Sequence, residues 1–305
     1  MRPAWLRLLL LLLTVLLALP TAAFAEGAEM AEEAEPLLLE VHQMMIGCAD
    51  GYLLRLGDVY ILMDGGEPLP QSPQREALAY LTALDIPHLD AVIITHWHLD
   101  HCMSLNEILT AFGTEETIVY SPAAAVPDAI NNGTVTVAVG PLVKGEHRQM
   151  KMGDVLTYGG LTITCTGPES LSQGGGCNQD SLNLLVQYGS RRFLFVGDFA
   201  QSKSINGAYK ELCTSVDVLK FPHHGIEPYE IGNNAMRIVR PTYVLVPGVV
   251  NKHKIWDYAD NLGVKFAREN VLTNADGHVI IITDGGERFD VLTHIDPAEY
   301  ASKGE

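Results

Sequence analysis

Three histidines and an aspartate lie within six consecutive residues, and no other part of the sequence has a clearer chemical meaning. His96, His98, Asp100 and His101 follow directly after an apolar run at residues 91–94. Imidazole and carboxylate are the groups through which proteins bind zinc, iron and manganese. The spacing HxHxDH therefore predicts a metal site at the end of a buried strand, where catalytic loops tend to lie.

The spacing within this cluster also predicts how many metal ions it serves. On an extended segment the side chains of His96, His98 and Asp100 would share one face, because side chains alternate along a strand. His101 breaks the alternation, so we expect a turn to redirect it. Two histidines could then bind one metal ion while Asp100 and His101 face a second, an arrangement that suits two metals about 3.5–4 Å apart.

Two later strands are predicted to end in residues of the same chemical types. A hydrophobic run at 193–196 leads into Asp198, a carboxylate that two metal ions could share. A predicted strand at 216–221 leads into the adjacent histidines His223 and His224. We prefer His224 as the ligand and expect His223 to handle protons.

The elements that must position these groups form two series. Strands are predicted at 38–44, 52–56, 59–63, 91–95, 117–120 and 135–139, with helices at 73–84 and 103–112. In the second series, strands are predicted at 155–158, 161–165, 182–188, 192–196, 216–221, 243–246, 279–283 and 289–292, with helices at 204–213 and 235–239. Each series combines hairpins with helix-separated strands. This predicts two similar sheet-plus-helix halves packed face to face, an αββα sandwich of the α/β class.

The amino terminus has the pattern of an export signal. Arg2 and Arg7 precede an apolar run at 8–19, and a small-residue cleavage site ends at Ala25, which predicts a signal peptide at 1–25. The run is shorter than the roughly 20 residues of a spanning helix, although an uncleaved anchor stays open. We expect a secreted or extracytoplasmic protein, with a glutamate-rich tether at 26–36 and one domain at 37–305.

Charge and cysteine content restrict the function further. The 305-residue chain has a net charge of −17, and removal of Arg2 and Arg7 leaves 18 basic and 37 acidic residues, a net charge of −19. This charge opposes passive attraction to nucleic acid. The five cysteines form no CxxC motif, so a cysteine zinc site is not expected. Cys102 is adjacent to His101, and we expect a small buried residue there.

The order of these motifs resembles the metallo-β-lactamase superfamily. Within it, residues 38–293 resemble the hydrolase domain of the ComEC family of DNA-uptake proteins and its exported stand-alone relatives. The matching stretches are 46–51 with 61–66, 178–182, 218–225 and 273–285. The resemblance implies an αββα fold and a dinuclear metal hydrolase, with two zinc or manganese ions. It implies metal roles for His96, His98, Asp100, His101, Asp198 and His224.

One departure from the superfamily pattern concerns the ligands of the first metal. The superfamily usually supplies another histidine, expected here near residues 165–168, where none is present. His147 is the only histidine between residues 102 and 197, and it precedes the expected strand. His253 could line the site or be an ordinary loop residue. The first metal would then have only His96, His98 and Asp198, so a single bound metal is an alternative.

Three further polar residues have two interpretations each. Asp64 follows a predicted strand and either belongs to a turn or hydrogen-bonds a ligand histidine. Asn178 and Ser181 either bind a phosphate or oxyanion of the substrate or cap the loop before a strand.

These observations together predict an exported metal-dependent hydrolase. A hydroxide made available by the metals would attack the substrate, with Asp100 orienting the water and His223 protonating the leaving group. The subfamily resemblance favours a phosphodiester, which could be nucleic acid, a phosphocholine-decorated wall polymer or a small molecule. A lactam hydrolase and a non-catalytic exported binding module are the alternatives. No stable membrane span is expected in the mature chain.

Overall fold

Two mixed β-sheets, each with helices on its outer face, form the domain. The computed structural model describes residues 36–68, 72, 76–123, 129–131, 136–138, 144–172, 174–248 and 251–303. The predicted signal peptide (1–25) and the predicted tether up to residue 35 lie outside these residues. Leu37–Glu305 forms one compact unit. No helix within the described residues is long and apolar enough to cross a membrane.

The sheets combine antiparallel hairpins with parallel strands. The strands of the first sheet are, in spatial order, β17 (Phe289–Ile295), β16 (His278–Thr283), β1 (Leu39–Gln43), β2 (Tyr52–Leu56), β3 (Val59–Met63), β4 (Leu89–Ile93), β5 (Gly113–Ser121) and β8 (Glu146–Gln149). Those of the second sheet are β15 (Val271–Thr273), β14 (Tyr243–Val246), β13 (Val218–Lys220), β12 (Arg191–Phe195), β11 (Asn183–Tyr188), β10 (Leu161–Gly167) and β9 (Val155–Tyr158). A separate pair contains β6 (Ala129–Asn131) and β7 (Thr136–Ala138).

The helices pack on the outer faces of the sheets. They are α1 (Ala77–Ala83), α2 (Leu99–Cys102), α3 (Leu105–Phe112), α4 (Ser202–Asn206), α5 (Lys210–Cys213), α6 (Asn233–Val239), α7 (Lys252–Asn261) and α8 (Pro297–Ala301). Along β12, Phe193 and Phe195 belong to the core between the sheets, while Leu194 belongs to the core under the helices. Both faces of this strand are therefore buried, and the predicted αββα sandwich is confirmed.

Several elements differ from the predicted ones. The helix predicted at 204–213 is broken at Gly207 into α4 and α5. Strand β8 has a polar, largely exposed sequence with no alternation, so the sequence offered no pattern to predict it. The final hairpin, β16 and β17, returns to the first sheet, where β16 pairs with β1. The two halves therefore do not divide at one point in the chain.

The cysteines take no part in disulfide bonds. Each of the five is free. Cys102 is buried, as expected, and its thiol donates to the carbonyl oxygen of His98 at 3.2 Å. Burial raises the pKa of this thiol above its usual range, so Cys102 remains a neutral packing residue at neutral pH.

Candidate metal centre

The HxHxDH segment joins a strand of the first sheet to a helix. Strand β4 ends at Ile93, and the loop after it carries His96 and His98. The segment does not continue as an extended chain, because α2 begins at Leu99 and its first turn carries Asp100 and His101. The start of this helix is the predicted turn that redirects His101, and it places Asp100 on the helix as well.

The remaining predicted ligands come from neighbouring strands of the second sheet. β12 and β13 are parallel, so their carboxyl ends, which lead into Asp198 and His224, lie at one edge of the sheet. Gly197 precedes Asp198 with a φ of +54°, and a Cβ there would come within 2.8 Å of the Cβ of Ser181. Glycine is required at this position because the backbone is left-handed and closely packed.

Among the described residues, three sets of side chains could hold a metal ion, and one of them is Asp50, Asp64 and His101. The set called here the four-residue group is Asp100, His101, Asp198 and His224. The Oδ1 atom of Asp198 lies 3.2 Å from Nε2 of His101 and 3.5 Å from Nε2 of His224. Oδ2 of Asp100 lies 3.1 Å from Nε2 of His224. Two imidazoles and two carboxylates converging in this way are a donor set suited to zinc or manganese.

A second candidate, the three-residue group, contains His96, His98 and Asp198. Nε2 of His96 lies 3.8 Å from Oδ2 of Asp198, and the two histidine rings are 4.6 Å apart. Asp198 thus belongs to both groups, with Oδ1 towards one and Oδ2 towards the other.

The hydrogen bonding of these side chains fits a bound cation. Among the described residues, Nε2 of His96, Nε2 of His101 and Oδ1 of Asp198 are buried and form no hydrogen bond of good geometry, although the last two atoms lie only 3.2 Å apart. Buried polar atoms are normally paired, because an unpaired one costs about 1–3 kcal/mol. These three atoms point into the candidate centre, so a divalent cation there would satisfy all of them.

Without a cation, the carboxylates of the centre attract protons to its histidines. Burial alone would lower the pKa of His101, but Asp198, Asp64 and Asp50 together raise it well above its usual range. Burial would likewise lower the pKa of His224, while its contact with Asp100 and its proximity to Asp50 raise it to about 9. His96 differs, since burial and the neighbouring His101 hold its pKa well below its usual range.

Asp64 orients His101 rather than serving only as a turn residue. Its Oδ2 lies 2.8 Å from Nδ1 of His101 and accepts from the hydroxyl of Thr95 at 2.7 Å, and its Oδ1 accepts from the backbone N–H of Thr95 at 2.8 Å. Of the two interpretations open from the sequence, the hydrogen bond to a candidate ligand is the one observed. A proton on Nδ1 leaves Nε2 free to bind a metal ion.

Asn178 and His223 lie together at the edge of the centre. The side-chain nitrogen Nδ2 of Asn178 is 3.3 Å from Nε2 of His223, and that same Nε2 is 4.0 Å from Oδ2 of Asp198. His223 is 30 % exposed and belongs to neither group. An asparagine amide can present either a donor or an acceptor to the ring, so Asn178 can support His223 with or without a proton on Nε2.

Ser181 differs from the predicted substrate contact. It is fully buried, and its hydroxyl accepts from the backbone N–H of Asp198 at 3.1 Å and lies 3.4 Å from Nδ1 of His96. Since the hydroxyl is enclosed and engaged behind the ligands, it fixes the loop that carries Asp198 instead of contacting substrate.

Among the residues that the structure describes, none replaces the missing histidine at the end of β10. Thr166, at the expected position, is buried and donates its hydroxyl to the carbonyl oxygen of Asn183 at 3.2 Å. His147 is 2.8 Å from the hydroxyl of Ser121. His253 lies in the first turn of α7, is exposed and packs on Trp256. Neither histidine belongs to a metal-binding group within the described part of the chain.

Two buried charged residues beside the centre were not predicted from the sequence. Asp50 lies in the loop before β2, and Lys220 is the last residue of β13; their side chains form an ion pair. A lysine at the end of an apolar strand gives no signal in the sequence, since a lysine there commonly extends towards solvent. The alternation of residues along β13 therefore did not show whether the side chain of Lys220 reaches solvent or is completely buried.

One known protein family matches the part of the chain that carries these residues. The model of the metallo-β-lactamase superfamily matches residues 49–226. These residues include every member of the two groups. A search of curated proteins gives no match.

Solved structures share the fold at low sequence identity. The metallo-β-lactamase fold protein YhfI from Bacillus subtilis is 14 % identical, with a TM-score of 0.50 over 84 % of this chain and 99 % of that one. MEM-A1, a subclass B3 metallo-β-lactamase from a soil metagenome library, is 14 % identical, with a TM-score of 0.42 over 73 % of this chain and 92 % of that one. A mutant of the β-hydroxylase CmlA is 15 % identical, with a TM-score of 0.49 over 80 % of this chain and 53 % of that one. At 14 % identity, the likeness to YhfI shows the fold alone.

Proposed function

This chain belongs to the metallo-β-lactamase superfamily and is a metal-dependent hydrolase, and on that premise we propose that it cleaves phosphodiesters at a dinuclear centre. One divalent ion, zinc or manganese, would be held by the four-residue group. The second would be held by the three-residue group. Asp198 would bridge them.

The observation that carries this proposal is that the two oxygens of the Asp198 carboxylate face different groups of histidines. Its Oδ1 atom faces Nε2 of His101 and of His224, whereas Oδ2 faces Nε2 of His96. A carboxylate that offers one oxygen to each of two donor sets is suited to bridging two cations. The groups differ in strength, since one has four protein donors and the other three. We therefore propose that the three-residue group binds its ion more weakly and leaves more of its coordination sphere to solvent or substrate.

The chemistry follows from what these residues can do. Bound divalent ions would supply Lewis acidity and a water of lowered pKa. Asp100, which is partly exposed, can accept a hydrogen bond from that water and orient it. His223 can deliver a proton from Nε2 to the leaving oxygen of the substrate. Asn178 would contact the substrate and hold His223 in place.

We also propose the finer assignments that rest on the sequence motifs. The resemblance to the ComEC-type hydrolase domain favours a phosphodiester over a lactam. The amide of Asn178 and the ring of His223 provide donors for the oxygens of a phosphoryl group. The mature charge of −19 favours a wall polymer or a small phosphodiester over long nucleic acid. The signal-peptide pattern supports export with cleavage near Ala25.

The test uses the mature chain, residues 26–305, loaded with Mn²⁺ or Zn²⁺. We expect turnover of bis(p-nitrophenyl) phosphate, with activity lost in Asp198→Ala and kept in Asp260→Ala, a matched change of an exposed carboxylate on α7. Undiminished activity in Asp198→Ala would remove the assigned metal role. Turnover of nitrocefin instead of the phosphodiester would indicate a lactam hydrolase. Less than one equivalent of bound metal, with no turnover of either substrate, would indicate a binding module.

A further inference from the structure

Lys220 is a completely buried cation directly behind the candidate metal centre. It is the last residue of β13 and only 1 % of its side chain is exposed. Its ammonium group donates to the carbonyl oxygen of Gly197, forms an ion pair with Asp50, and lies 3.7 Å from Oδ1 of Asp198. A buried ammonium is tolerated only where carboxylates and carbonyls compensate its lost hydration. Asp50 and Asp198 provide that compensation, and they raise the pKa of Lys220 against the opposing effect of burial.

Asp50 extends this ion pair to the four-residue group. Its backbone N–H donates to the carbonyl oxygen of Asp100 at 3.1 Å. Its Oδ1 atom lies 3.3 Å from Nδ1 of His224, and its Oδ2 atom lies 3.6 Å from Nδ1 of His101. Nδ1 of His224 also faces the carbonyl oxygen of Pro247 at 3.1 Å. The carbonyl oxygen of Pro247 and the carboxylate of Asp50 therefore both favour a proton on Nδ1 of His224, which leaves Nε2 as the nitrogen for a metal ion.

The pair also connects the two sheets at the centre. Asp50 belongs to the loop before β2 of the first sheet, whereas Lys220 and Asp198 belong to the second. Asp50, Asp64, Asp100 and Asp198 all lie in or beside the four-residue group. Lys220 contacts two of these carboxylates, Asp50 and Asp198, so its positive charge reduces the repulsion that would push them apart.

We propose that Lys220 and Asp50 are positioning residues, which hold His224, Asp100 and Asp198 in a ligating arrangement before the metal ion binds. Lys220 acts through Asp50: the ion pair holds Asp50 against the ligands, and Asp50 orients them. The proposal rests on the metal role of the four-residue group proposed above. It adds that tight metal binding requires Lys220 and Asp50, as well as the HxHxDH motif and the shared carboxylate of Asp198.

The experiment measures Co²⁺ and Zn²⁺ binding to metal-free protein by competition with a chelator, together with the visible absorption of bound Co²⁺. Variants are Lys220→Met, Asp50→Asn and the double variant. We expect each single change to weaken the tighter metal site about 10- to 100-fold and to alter the Co²⁺ spectrum. Since the two residues act as one unit, the double variant is expected to bind no more weakly than Asp50→Asn. Lys252→Met is the matched control. Lys252, the first residue of α7, forms an ion pair with Asp276 at 2.7 Å. The metal affinity of this variant should equal that of the wild-type protein.

The outcomes separate this inference from the proposed function. Wild-type protein that binds no metal would overturn the proposed function. Wild-type protein that binds metal while folded Lys220→Met or Asp50→Asn keeps the same affinity and spectrum would overturn only the positioning role. Additive losses in the double variant would show that Lys220 does not act through Asp50. If Lys220→Met fails to fold, Asp50→Asn decides the matter, because it keeps the size of the side chain and changes only its charge.

Discussion

Replacing Asp64 by asparagine tests how the structure prepares His101 for metal binding. The carboxylate contacts Nδ1 of His101 and accepts from the N–H and hydroxyl of Thr95 at 2.7–2.8 Å. Asparagine has one acceptor oxygen and one donor nitrogen. If the nitrogen faces His101, the ring must move its proton to Nε2, the atom that faces the candidate metal. If the oxygen faces His101, the buried backbone N–H of Thr95 loses its acceptor and faces the amide nitrogen instead.

The size of the effect follows from the lost interaction. One hydrogen bond to a charged group contributes about 1.5–3 kcal/mol. Since 1.4 kcal/mol is a tenfold change in an equilibrium constant, we expect Asp64→Asn to weaken the tighter metal site about 10- to 100-fold. Chelator competition on the metal-free variant gives the affinity directly.

The matched control for this prediction is Asp90→Asn. Asp90 accepts from the backbone N–H of Tyr60 at 2.8 Å, at the opposite end of β4. It should retain wild-type metal affinity. Equal affinity in Asp64→Asn and wild type would refute the reasoning that Asp64 sets the tautomer of His101.

Two other predictions concern proton handling. His223→Ala should lower kcat about 10²- to 10⁴-fold without changing the amount of bound metal. The control, His253→Ala, changes an exposed histidine and should alter neither kcat nor the bound metal. Loss of metal in His223→Ala would contradict the position of His223 outside the ligand groups. Because the pKa of His224 is raised to about 9 in the metal-free protein, metal binding below that pH must displace a proton. The apparent affinity should rise with pH up to at least about pH 9, because His101 in the same site also has a raised pKa. Calorimetry in two buffers of different ionisation heat measures the proton release, and affinity independent of pH would contradict this.

The sequence predicted the fold and the ligand candidates because both follow from local patterns. Alternating and apolar runs define strands such as β12 and β4, whose faces pack on different cores. HxHxDH and the histidine pair follow such strands directly. The choice between His223 and His224 was harder to make from spacing, because the two have φ values of +50° and +53°. Two successive residues in the left-handed region turn the chain, so the alternation of side chains along a strand does not predict where either histidine points.

The residues behind the ligands could not be predicted in the same way. Asp64 could be read either as a turn residue or as a partner of a ligand histidine, and the sequence could not decide because its partners Thr95 and His101 lie 31 and 37 positions away. Asp50 and Lys220 are brought together across the sheets, and their separation along the chain hides the pair. Ser181 was open to two interpretations, substrate contact or loop capping, and its burial beside Gly197 could not be foreseen from the sequence. Each of these contacts depends on tertiary packing that local sequence does not encode.

The number of divalent ions that bind to Asp198→Ala, compared with wild type, tests the dinuclear centre most directly. Asp198 is the only residue that the two groups share among the described residues. We predict two equivalents of Zn²⁺ for the wild-type protein, bound with unequal affinity, and loss of tight binding at both positions in Asp198→Ala. A variant that still binds two equivalents with wild-type affinity, or a wild-type protein that binds one equivalent or fewer, would contradict a metal centre bridged by Asp198.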